Sequence, residues 1–114
     1  MTGMELQRKV RDALAEALGI PVVKYVHEYK GQSRRPFAAY QEISNVPALH
    51  ADGRELGFRS TYQISIGTAD DECGELEEAA EAAMAGLGFM RIDARDIHDG
   101  IYFRVIRFII VCGK

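Results

Sequence analysis

The chain closes on GIYFRVIRFIIVCGK, residues 100–114, and no other stretch limits its folding so strongly. Side chains alternate across a strand. Tyr102, Ile106, Phe108 and Ile110 therefore go to one side, and Ile101, Phe103, Val105, Ile109 and Val111 to the other. Each side carries one arginine, Arg104 with the first set and Arg107 with the second. About eleven residues broken by two arginines fall short of the roughly twenty apolar residues that a membrane-spanning helix needs. The run predicts a strand that is apolar on both faces, and both faces need cover.

The rest of the chain supplies the cover for one of them. Thr2 followed by Glu5 matches a capping box, and Leu6, Val10, Leu14, Ala17 and Leu18 then recur at helical spacing, with Gly19 and Pro21 as the stop. Residues 22–29, VVKYVHEY, predict a first strand, and the turn-prone KGQSRRP follows. Residues 37–46 predict a second strand, and residues 47–57, PALHADGRELG, a polar loop containing glycine. The third strand has the clearest alternation. Phe58, Tyr62, Ile64 and Ile66 lie on one face, and Arg59, Thr61, Gln63 and Ser65 on the other, as in an antiparallel strand with one wet face. A second helix is expected over residues 70–87, capped by Thr68 or Asp70, with Cys73, Leu76, Ala80, Ala83, Met84 and Leu87 as its apolar stripe. A short strand, FMRI, leads through a polar turn, DARDIHDG, into the closing strand, so the last two strands form a hairpin.

These elements make one α+β domain over residues 1–114, in the order α-β-β-β-α-β-β. The expected architecture is a mostly antiparallel sheet of four to five strands with two helices packed mainly on one face. With no third helix, the second apolar face of the closing strand is expected to be covered in part only on assembly, with Arg104 or Arg107 near its rim.

Bulk properties remove several function classes. A domain of 114 residues buries roughly two-thirds of its unfolded surface and needs no staples. Its 47% apolar and 27% charged content is that of a globular chain, and its net charge of -3 gives no general reason for nucleic-acid or membrane binding. Residues 1–20 are charged and amphipathic, unlike a signal peptide. Cys73 and Cys112 stand apart, outside any CxxC or Cys/His cluster, and are expected to be small apolar side chains in a reduced cytosolic protein.

The search for chemistry returns little. His27, His50 and His98 fall in different elements, with no serine or cysteine beside them in a nucleophile motif. DARDIHDG groups Asp93, Asp96, His98 and Asp99, but without the alternating ligands, central glycine and closing glutamate of a calcium loop. DGRELG has no phosphate-loop spacing, and a strand follows it where such a loop needs a helix. Lys30, Arg34 and Arg35 in KGQSRRP make a weak nucleic-acid signal in an acidic chain. No catalytic residue, metal ligand or cofactor is expected, and the chain is read as a non-enzyme.

The second helix carries Asp70, Asp71, Glu72, Glu75, Glu77, Glu78 and Glu81 with no basic residue. Acids in the first turn favour the helix dipole, but later ones repel one another. Two readings stay open: a solvated face, or a face that meets a basic patch on a neighbour, for which Arg34, Arg35, Arg54 and Arg59 are available.

Three strings carry a resemblance that covers nearly the whole chain: RRPFAAYQEIS before a polar loop, RSTYQISIGTADDECGELEEAAEAAM as a strand running into a helix, and DIHDGIYFRVIRFII at the end. Their order resembles the small tail-completion, or tail-terminator, proteins of long-tailed bacteriophages and prophages. The resemblance implies a structural virion protein, assembled in the bacterial host cytoplasm and located at the head-proximal end of the tail. It implies a ring of identical subunits, usually six, that caps the tail tube, ends its growth and meets the head-tail connector. The expected partners are other copies of the chain, the tail-tube protein and the connector protein. DNA would pass through without specific recognition.

The resemblance marks His50, Asp52, Arg54 and Glu55, in the 47–57 loop, as candidates for contact with the tube or the lumen. Arg34, Arg35, Glu75, Glu78, Phe103, Val105 and Arg107 are the candidate subunit contacts. Rival readings are a head-completion or neck protein that binds the portal, and a non-phage α+β binding module that acts as a dimer.

Overall fold

The computed structural model describes residues 2–25, 36–51, 53–69 and 73–113, with backbone alone at 49–51 and 99. Its elements are α1 (Gly3–Leu18), β1 (Val22–Val23), β2 (Phe37–Ala51), β3 (Arg54–Thr68), α2 (Gly74–Gly86), β4 (Met90–Asp99) and β5 (Ile101–Gly113). The order is the expected one, and the fold is α+β. The five strands form one sheet in the order β1-β2-β3-β5-β4. β1 runs parallel to β2, and every other neighbouring pair is antiparallel.

The alternation of β5 divides as the sequence requires. Ile106, Phe108, Ile110 and Cys112 enter a core shared with Tyr62 and Ile64 of β3, Leu6, Val10, Leu14 and Leu18 of α1, and Ala80 and Met84 of α2. Each of the leucine, isoleucine, valine, phenylalanine and methionine side chains among them stabilises the fold by roughly 1.5–3 kcal/mol. Phe89 wedges between the Tyr62 and Phe108 rings edge-on, with centroids 5.5 and 6.5 Å away. Both helices cover this one face, α1 toward β1 and β2, and α2 toward β4 and β5. The Thr2 cap also forms, accepting from the Glu5 amide at 3.1 Å.

The outer face is divided. At the Phe37 end, Phe37, Ala39, Ser65, Gly67 and Val105 are buried although neither described helix lies on them. Gly67 pairs with Phe37 on one side and Phe103 on the other, and the two rings meet edge-to-face with centroids 6.0 Å apart. At the opposite end Arg59 is exposed, and Val111 is 55% exposed. The wet face inferred for β3 is therefore wet at one end only.

Four expectations need correction. Residues 47–57 are not a loop: the ladder continues through Pro47↔Phe58, Leu49↔Gly57 and Ala51↔Arg54, with register shifts around Leu49. These irregularities absorb Pro47, which sits where β2 has already left β1 and runs as an edge strand. Gly53, at φ 75, closes the hairpin in a conformation that L-residues rarely adopt. Second, DARDIHDG is not a turn but most of β4, and the reversal falls at Gly100 between Asp99 and Ile101. A charged edge strand needs little apolar patterning, because water is its neighbour. Third, α2 begins at Gly74, with Cys73 at its N-cap and no side-chain cap bond, while Thr68 is a buried residue of β3. Fourth, among the described residues the first strand is paired only at Val22 and Val23. Residues 26–29 of that predicted strand lie outside the described residues, as do Asp70, Asp71 and Glu72.

Candidate functional site

At roughly 3.3 Å per residue, the two 15-residue strands of the β2–β3 hairpin account for most of the molecule's 52 Å length, against 23 and 22 Å in the other directions. β1 pairs with β2 only at Ala38 and Ala39, and β5 ends its pairing with β3 at Gly57. The hairpin beyond Gly57 is thus a two-stranded projection. Arg54 and Leu56 are exposed there, and Glu55 is half-buried. His50 pairs with Glu55 through the backbone, which brings two of the four loop candidates together. Asp52 lies outside the described residues.

The candidate subunit contacts are spread over two surfaces. Glu75 and Glu78 are exposed on α2. Phe103, Val105 and Arg107 share the outer face of the sheet, where Val105 is buried, Phe103 is half-buried against Phe37, and Arg107 donates to Gln63 at 3.2 Å. The exposed apolar side chains of this face are Val111, beside Arg59, and Met90 and Ile97 on β4. Arg34 and Arg35 lie outside the described residues.

Two acids of α2 have partners within the chain. Arg104 donates to Glu77 at 2.9 Å and to Asp96 at 3.1 Å, and Arg91 donates to Glu81 at 2.6 Å. The signal was present in β5: Arg104 shares the parity of Ile106 and Phe108, so a helix packed on that face had to meet it. The hydrogen bonds that Arg104 donates to Glu77 and Asp96, the largest effects, raise its affinity for its proton and keep it charged.

Beside this network lies a cleft of about 340 Å³ lined in part by Cys73, His98, Tyr102 and Arg104. The His98 and Tyr102 rings stack at 4.4 Å. Burial, and then the neighbouring Glu77, push the Cys73 thiol up, so the sulfur holds its proton near neutrality and is a weak nucleophile. Asp93 and Asp96, grouped in sequence, point to opposite faces of β4 because they stand three residues apart on a strand. Among the described residues, no three His, Cys, Asp or Glu side chains converge as a metal site. No described helix is long and apolar enough to cross a membrane.

The exposed features of the described residues include a projecting hairpin, an acidic helix flank and a partly exposed outer face. No protein-family model matches the chain, and no curated protein matches it.

Proposed function

We propose that this chain is a structural protein of a long-tailed phage or prophage that caps the tail tube, ends its growth and forms the tail side of the head-tail junction. It acts as a ring of identical subunits, with six as the expected number, at the head-proximal end of the virion tail. The observation that carries this reading is the β2–β3 hairpin, whose tip extends beyond the strands on either side of it. Such a projection adds little to the core, yet it offers both backbone edges and the Arg54 side chain to a partner. The order of elements, the one-sided helix layer and the exposed apolar side chains of the outer face support the same reading.

In this assignment the hairpin tip meets the tube protein or lines the lumen. The α2 flank and the outer face of β5 meet neighbouring subunits, and the opposite ring surface meets the connector. The protein does its work by binding and needs no catalysis.

The test mixes the purified protein with its tail-tube protein and views the tubes by electron microscopy. Caps on one end, with shorter and more uniform tubes, are the expected result. Bare ends and unchanged lengths would sink the reading. Pull-down against the portal protein distinguishes a neck role: retention by the portal and not by the tube would replace the terminator assignment.

A further inference from the structure

We propose that one copy of this chain docks on the next helix to helix, with Met4, Arg8 and Arg11 of α1 seated antiparallel against Ala82, Glu78 and Glu75 of α2. The proposal deepens the ring reading above and rests on it.

The α1 side is a groove of about 250 Å³ lined by Met4, Gln7, Arg8, Arg11, Lys24 and Tyr40. It holds three cations and no acid among its described lining residues. Arg8 is exposed. Arg11 pairs with its neighbour Asp12, at 3.2 Å, with the two side chains 51% and 65% exposed, an arrangement that holds an arginine weakly. Met4 is 69% exposed beside them, an apolar side chain without cover.

The α2 side is acidic for a definable reason. Glu77 and Glu81 face the sheet and are taken by Arg104 and Arg91. Glu75 and Glu78 stand on the far side, exposed, and form no ion pair among the described residues. Ala82 continues their stripe one turn on and is exposed as well. A side chain this small lets a neighbouring helix come close.

The spacing selects the register. Along α1, Met4, Arg8 and Arg11 are separated by four and then three residues, and along α2, Glu75, Glu78 and Ala82 by three and then four. Positions three and four apart fall on one helix face. Run antiparallel, the two stripes coincide position by position: Arg11 opposite Glu75, Arg8 opposite Glu78, and Met4 over Ala82. A parallel arrangement keeps the two ion pairs but leaves Met4 beyond the end of the α2 stripe.

The occupant follows from where the stripes lie. α1 covers the β1–β2 side of the sheet and α2 the β4–β5 side, with the Arg8 and Arg11 groove opening toward Lys24 and Tyr40. The complementary surfaces are thus different patches of one chain. Contacts between different patches are heterologous, so each copy offers a free patch to the next and the series can close into a ring. Charge complementarity also sets the register and steers encounter.

Sedimentation of the full chain at low salt tests this. The expected result is association that weakens as salt rises. Arg8→Glu with Arg11→Glu, or Glu75→Arg with Glu78→Arg, should weaken it at least about tenfold, a factor that two lost charge pairs can supply. Because all four side chains are exposed, melting by circular dichroism should change little. An equimolar mixture of the two charge-reversed proteins, and a single chain carrying all four changes, should recover association. A wild-type chain that stays monomeric to about 1 mM, the weak end of specific binding, overturns the proposal. So do charge reversals without effect, and so does a mixture that fails to recover. The outcomes also separate from those of the terminator reading. A charge-reversed monomer that still caps tubes removes this interface alone, whereas wild-type chains that associate but leave tubes bare remove the terminator reading alone.

Discussion

Phe37 and Phe103 meet edge-to-face, centroids 6.0 Å apart, across the bare backbone of Gly67. The ring contact ties β2 to β5 across β3, at an end of the outer face where Phe37 and Val105 are buried and neither described helix packs. A methyl group at position 67 would lie 2.5 Å from the Phe37 ring and 3.0 Å from Ile101. Gly67→Ala is therefore expected to force the ring aside and cost about 1–3 kcal/mol, the usual price of overpacking. Thermal denaturation checks this. An unchanged melting temperature would mean that the ring moves freely and that the contact does not order the sheet.

The two arginines that hold α2 differ in exposure. Arg104 and Glu77 are 25% and 19% exposed, and Arg104 reaches Asp96 as well. Arg91 and Glu81 are 50% and 33% exposed. Arg104→Ala is expected to cost about 1–2 kcal/mol, after allowance for residual solvent, and Arg91→Ala about 0.5 kcal/mol or less. Urea denaturation of both variants in low and high salt decides it, and the reverse order would show that burial does not govern these pairs.

Both predictions concern contacts that were only partly legible in the sequence. The parity of β5 could be read because its apolar residues leave no other division, and α1 because Leu6, Val10, Leu14 and Leu18 fix a stripe. The hairpin beyond Pro47 could not, since backbone ladders form without apolar side chains and both Pro47 and the Asp-Gly pair look like loop chemistry. The continuation of β4 beyond FMRI was hidden in the same way, in an edge strand whose Arg91, Asp93, Arg95 and Asp96 alternate toward water and salt bridges. The exposed flank of α2 was visible as acidity, but the division between Glu77 and Glu81, paired inward, and Glu75 and Glu78, facing out, depends on where the helix lands on the sheet.

High pH should destabilise the fold. Burial, the leading cause in each case, pushes the Cys73 and Cys112 thiols and the Tyr62 hydroxyl up, with Glu77 adding at Cys73 and Glu42 at Tyr62. In the unfolded chain these groups ionise near pH 8.5 for thiols and 10 for tyrosine. Above those values the unfolded state sheds protons that the folded state keeps. Stability is fully present below about pH 8.5 and is lost as pH rises toward the folded values. The melting temperature should fall between about pH 9 and 11, less steeply for Cys112→Ala, and less steeply above pH 10 for Tyr62→Phe. Near neutrality Tyr62→Phe should cost nothing or stabilise slightly, because this buried hydroxyl has no hydrogen-bond partner among the described residues. A profile flat to pH 11 would contradict the assignment.

The hairpin tip separates folding from function. Removing residues 49–56 and joining Ala48 to Gly57 through an Asn-Gly turn deletes no described member of the buried core. It leaves the ladder from Phe37 to Pro47 with its β3 partners. The shortened protein is therefore expected to melt within a few degrees of the full chain and to keep its self-association, since Arg8, Arg11, Glu75 and Glu78 lie on the helices. Its capping of tail tubes should be lost, because the projection is the part assigned to the tube. Electron microscopy of tube ends, beside sedimentation of the same preparation, reads both properties. If the shortened chain still caps tubes as well as the full one, the contact must lie elsewhere, and the partly exposed outer face around Val111 and Met90 becomes the surface to mutate.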